Sequence, residues 1–268
     1  MTRHSRTGRR GLRRSLCLLA WAAAAWVGGF DPAQVGSAAT ALTRPLVLPF
    51  LWRSLGEAER LGDPAAAFAQ AQLLLRATPG WTDGHIVFAW RYALDGSATA
   101  PAGTERTRAA ADRLQVALAV LDRAAEGPAR RPGEVWDAMA WLVELATRKE
   151  PALADLLPEA PVLLADRYRA RAEAAGADRS VGAWRLYDVP RIAAVFLRAG
   201  DRARALQVMD DGIDRCAGRA AGADLEADWC GTLRRARAAL AGDPAVDAAE
   251  RAALAGDIRL ESLATFLR

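Results

Sequence analysis

The sequence predicts an all-α protein assembled from antiparallel helix pairs. Three observations lead there. Alanine, leucine and arginine dominate the 268 residues, and all three are strong helix formers; runs with strand-like alternation are scarce. Apolar residues recur at three- and four-residue spacing over most of residues 45–268. The dipeptide Gly-Asp recurs at 62–63, 200–201, 242–243 and 256–257. Glycine adopts the left-handed conformation just past a helix end at little cost, and aspartate then caps the next helix by accepting its free backbone N–H groups. At 63–64 and 243–244 a proline follows, which is tolerated at a first helical position because its missing N–H had no partner there.

The pairs expected are 46–61 with 64–78, 81–95 with 105–126, 134–148 with 159–175, 180–199 with 202–217, and 223–241 with 246–267. After Asp201, the residues Ala205, Val208, Met209, Gly212, Ile213 and Cys216 share one face, and charged residues take the other. Leu114, Ala117, Leu118, Leu121 and Ala125 repeat the pattern, as do Leu225, Trp229, Leu233, Ala236 and Leu240. Residues 81–95 are apolar nearly all round, which predicts an interior helix. Pro190 is expected to start or kink its helix. The stretches 96–104 and 127–133 read as linkers, too short to separate domains, so 45–268 is expected to be one helical domain after an N-terminal region, 1–44.

Two stretches carry a resemblance to the tetratricopeptide repeat, a helix–turn–helix unit of about 34 residues. In 186–219, Ala193 and Phe196 sit at the small and aromatic positions of a first helix, and Gly200-Asp201 form the turn. Ala205 and Met209 take the small and large positions of the second helix. In 48–81, Gly62-Asp63 form the turn, Ala67 takes the small position and Pro79 ends the unit. Leu55, Ala58, Trp52 and Ala217 depart from the pattern, so the resemblance implies a degenerate array, covering roughly a quarter of the chain. The layout also resembles bacterial repeat proteins with an N-terminal membrane anchor, a type that brings a location and a fold but no reaction.

Charge is unevenly placed. Arg3, Arg6, Arg9, Arg10, Arg13 and Arg14 precede the first acidic residue, and setting those six aside leaves 30 basic against 32 acidic side chains. The body is close to neutral, which argues against nucleic-acid binding. Ser15 to Phe30 then runs 16 residues without a charge, through Leu16, Leu18, Leu19, Trp21, Trp26 and Val27. That length falls between a signal peptide's apolar core and a spanning helix of about 20 residues. One expectation is a single-pass anchor in the inner membrane, with the arginines held in the cytoplasm and the C-terminal domain in the periplasm. The alternative is a cleaved signal, cut after Ser37 or Ala39, that releases the body to the periplasm.

No nucleotide-binding, zinc-protease or serine-hydrolase motif is present. His4 and His85 are the only histidines. His85 is expected to be a packed residue, so neither a metal site nor a catalytic triad is anticipated, and no cofactor is called for. Cys216 and Cys230, 14 residues apart, read either as buried apolar side chains or, in an oxidising compartment, as a disulfide. The acidic stretch 209–215 lacks the ligand spacing of a calcium loop. The tryptophans at 52, 81, 90, 136, 141, 184 and 229 are expected in the core.

Function is therefore expected to be non-enzymatic: an extracytoplasmic, membrane-anchored scaffold whose first helices line a concave face for a partner peptide or helix. Arg53, Arg60, Arg91 and Arg198 are the candidate groove residues, as basic side chains on first helices; the family's lysine- and asparagine-based carboxylate clamp has no match. Structural self-association of a secreted domain, and an accessory domain of an envelope enzyme, are the alternatives.

Overall fold

The computed structural model describes residues 47–95, 103–127, 129–218 and 228–268. The apolar segment Ser15–Phe30 lies outside the described residues, and no described helix is long and apolar enough to cross a membrane. The described residues are helical, with no strand among them. The first pair is α1 (47–60) and α2 (Pro64–Ala77), joined through Gly62 at φ 70°. Asp63 caps α2 by accepting from Ala65 N and Ala66 N at 3.0 and 2.9 Å. The second pair is α3 (Thr82–Asp95) and α4 (Thr104–Glu126); the third is α5 (Pro132–Lys149) and α6 (Pro161–Ala174). The fourth, α7 (Arg179–Arg198) and α8 (Arg202–Gly218), turns at Gly200, φ 79°, with Asp201 accepting from Arg204 N. α9 (Trp229–Ala241) and α10 (Ala248–Gly256) follow.

One expectation is corrected, and one of the two alternatives for Pro190, that it starts its helix, is excluded. Residues 246–267 do not form one helix: Asp257 caps a 3-10 turn, Ile258–Leu263, before the short α11 (Ala264–Leu267). This break lets Leu260, Leu263 and Leu267 all reach the interior. A second 3-10 turn, Pro151–Leu156, packs on α4 and α5 and buries Leu153. Pro190 neither starts nor ends its helix but sits inside α7. A proline has no N–H to give to the carbonyl four residues earlier. That carbonyl, of Leu186, accepts instead from the buried Trp229 indole Nε1 at 3.2 Å, so α9 satisfies the group that Pro190 leaves free.

Each helix from α2 onward packs against the next, α3 also touches α5, and the Ile258–Leu263 turn folds back on α7. The core follows the chain in three clusters. Leu55, Ala71, Leu74, Leu75 and Phe88 join α1–α3; Leu114, Leu121, Val135, Met139 and Leu142 centre on α4 and α5; Leu186, Met209, Trp229, Leu233 and Leu260 close the C-terminal end. Gly212 permits the closest approach of α7 to α8, since a Cβ there would lie 2.8 Å from Val189 Cγ2. Cys216 and Cys230 are joined as a disulfide with Cα atoms 5.9 Å apart, which ties the end of α8 to the start of α9.

Candidate functional site

The strongest concentration of chemistry lies where α5, α6 and α7 meet. Arg169 comes from α6 and is only 1% exposed. A buried guanidinium is costly unless its charge and donors are matched; here both neighbouring helices supply carboxylates to the two Nη atoms, while Nε is buried without a partner. Arg169 donates to Glu144 of α5 through Nη1 and Nη2 at 3.2 and 3.1 Å, and to Asp188 of α7 through Nη1. Its guanidinium also stacks on the Trp141 ring, 5.1 Å from the centroid. Arg191, on α7, closes the network from the solvent side: its Nη1 donates to Asp188 Oδ1 at 2.6 Å and to Glu144 Oε1 at 3.1 Å.

The carboxyls of this network experience opposing forces. Burial penalises the charged form of Glu144, but its hydrogen bonds with Arg169 and the attraction of Arg169 and Arg191 prevail and hold its pKa below the ordinary value. Asp188 is more deeply buried, and desolvation raises its pKa despite the same two arginines. Asp137, one turn before Trp141, is also raised, chiefly by burial, with the Arg169 charge acting against it. Its Oδ1 is buried and has no partner. Three carboxyls thus face two guanidiniums, so the network is short of positive charge.

An aromatic ladder runs beside these charges. Trp141 of α5 meets Trp184 of α7 edge-on at 5.2 Å; Trp184 neighbours Tyr187 at 6.3 Å, and Tyr187 neighbours Trp229 of α9 at 5.2 Å. The helices α5, α7 and α9 are the first members of successive pairs. Trp184 is 45% exposed, which corrects the expectation that it lies in the core; Trp52 is likewise half exposed. Leu186, Val189 and Ala193 fill the buried side of α7, so Trp184 stands at the flank of that stripe. Its exposed ring lies on the same helix face as Asp188 and Arg191, which follow it by four and seven residues.

The residues singled out from sequence fall elsewhere. Arg60 pairs with Glu57 within α1, and Arg91 of α3 reaches across to Glu59 of α1. Arg53 lines an open groove between α1 and α2. Arg198 ends α7, two helix pairs further along the chain from Arg91 on α3. The four do not assemble into one described groove. His85 is buried, with Nε2 at 3.1 Å from the Pro79 carbonyl oxygen and Nδ1 without a partner. Among the described residues no group of three or more His, Cys, Asp or Glu side chains is arranged to hold a metal ion. The network on α5–α7 was missed because charge inside an apolar helix reads as solvated face. The available signal was the spacing Asp137, Trp141, Glu144 on one helix and Trp184, Asp188, Arg191 on another.

No protein-family model matches the chain, and no curated protein and no solved structure matches it. What the geometry defines is an all-helical protein of consecutively packed helices, whose densest polar and aromatic chemistry joins three of them.

Proposed function

We propose that the chain is a membrane-anchored adaptor whose TPR-like helical body works in the periplasm and holds a protein partner on the concave face of its first helices. The observation that carries this reading is the uncovered pair Trp184 and Arg191. The two lie two turns apart on one face of α7, and tryptophan and arginine are residue types enriched among those that dominate binding energy at protein interfaces. Arg191 is half exposed and donates to Glu144 and Asp188 through Nη1; its remaining N–H groups are the donors this reading assigns to a partner's carbonyl or carboxylate oxygens. The buried network behind them serves to hold Trp141, Trp184 and Arg191 in fixed positions, and a pre-organised surface loses less entropy on binding. The sequential packing of helix pairs supports the repeat reading. The arginine-rich start followed by 16 uncharged residues supports the anchor, and the Cys216–Cys230 bond supports an oxidising compartment.

The test is a photo-reactive amino acid placed at position 184 of the full chain in native membranes, with position 116 as control. Val116 is exposed on α4, a second helix. The proposal expects a discrete adduct from 184 that Arg191→Glu abolishes, and none from 116. Equal labelling at both positions, or no adduct at 184, overturns it.

A further inference from the structure

We infer that the open flank of the α1–α2 pair rests on the lipid surface to which the chain is anchored; this deepens the membrane-anchored reading and depends on it. The groove is lined by α1, α2 and the turn between them: Phe50, Ala58, Leu61 and Ala66 are its apolar residues and Arg53, Ser54, Glu57, Asp63 and Gln70 its polar ones, with a volume of about 610 Å³. Phe50 is 74% exposed and Leu61 69%. Val47, Phe50 and Ser54 fall at positions i, i+3 and i+7 of α1, which is one stripe of a helix, and Leu61 follows in the turn just past its end. The core of this pair is built on the adjacent stripe, Leu48, Leu51 and Leu55, where α3 supplies Phe88. The exposed apolar residues of this flank are therefore separate from the core and unpartnered among the described residues.

The chain itself says what covers it. Sixteen residues, 31–46, separate Phe30 at the end of the uncharged segment from Val47 at the start of α1. At full extension they reach about 55 Å, so a membrane-held Phe30 keeps α1 within a short radius of the bilayer and at high effective concentration there. No other helix is tethered so closely. The polar groups suit a headgroup layer. Arg53 has no ion-pair partner among the described residues, and long arginine side chains extend from an apolar face to the lipid headgroups. The acids at the groove are already engaged: Glu57 pairs with Arg60, and Asp63 caps α2. The flank thus mixes exposed apolar side chains with polar ones, as a helix lying at a headgroup layer does, and does not require anionic lipid.

The experiment reconstitutes the full chain into phosphatidylcholine vesicles carrying a phospholipid with a photo-reactive acyl chain, and locates lipid adducts by mass spectrometry. Adducts are expected within 15–30 and within 47–61, with none at Val116 or Ile258, which are exposed elsewhere on the body. In Phe50→Ser/Leu61→Ser, whose changed side chains are exposed, the 47–61 adducts fall to background while those in 15–30 persist. Adducts in 15–30 without any in 47–61 overturn the docking inference and leave the anchor standing. No adducts in 15–30 overturn both. Chain-to-chain cross-links through Phe50 in place of lipid adducts overturn the inference in favour of a second copy at this face.

Discussion

Replacing Arg169 by methionine removes a cation that two helices enclose. The volume and the apolar stem are retained, so the change isolates the guanidinium. Glu144 and Asp188 then face each other from α5 and α7 in the interior, with only the half-exposed Arg191 between them. Removing one partner of a buried ion pair costs about 3–5 kcal/mol, and a domain of this size has about 5–15 kcal/mol in total. At about 2–4 °C per kcal/mol, the melting temperature should fall by roughly 6–20 °C. The loss has a pH signature. Without Arg169, both carboxyls rise in pKa, the folded state binds protons more tightly than the unfolded one, and stability recovers as pH falls toward the raised values. The parent does the opposite at Glu144: its folded pKa is depressed, so the stability it contributes is present above the ordinary range and is lost as pH falls. The assay is thermal unfolding by circular dichroism of the full chain in detergent at pH 5 and pH 8. Arg171→Met is the control, because Arg171 is half exposed and its ion pair with Asp122 is long, at 3.4 Å, worth about 0–1 kcal/mol. If Arg169→Met costs no more than this control, or costs the same at both pH values, the reasoning about a buried ion-pair network fails.

Trp229→Phe should destabilise by about 1–3 kcal/mol, because the Leu186 carbonyl is left without a donor; in a Pro190→Ala background the helix N–H returns and part of this hydrogen-bond loss should disappear, as a double-mutant cycle by urea denaturation would show. Asp137 is raised in the folded state mainly by burial, so its contribution falls as pH climbs through that window and its cost is complete above it. Asp137→Asn should therefore be more stable than the parent at pH 7, with the advantage shrinking toward acid; calorimetry across pH checks the slope. Reducing Cys216–Cys230 should cost about 3 kcal/mol, the entropy of a loop of about 15 residues, and the Cys216→Ala/Cys230→Ala variant should lose the response of the melting temperature to reductant.

The helix pairs were legible because their punctuation is chemical. Gly200-Asp201 needs a positive φ followed by a side-chain acceptor, and few other dipeptides provide both. The expected pair limits agree with the structure to within a few residues for α2 through α8. The C-terminal stretch was harder, since the stripe Leu254, Leu260, Leu263 and Leu267 reads as continuous helix although Asp257 interrupts it. The site was the least legible part. Arg167, Arg169 and Arg171 stand at alternate positions on α6, and nothing in their sequence says that the middle one is enclosed while its neighbours are half exposed. That distinction depends on carboxylates 25 residues before and 19 residues after it. Trp184 and Trp52 were placed in the core because tryptophan usually belongs there; a binding surface is one setting in which that preference fails.

The account rests on the first-helix face as a binding surface. The most direct measurement is the dissociation constant of the partner captured at position 184, titrated against the parent, Trp184→Ala and Trp52→Ala chains. The account predicts at least about a tenfold loss, 1.4 kcal/mol, for Trp184→Ala and no change for Trp52→Ala. Unaltered affinity in Trp184→Ala, with its melting temperature intact, would contradict it.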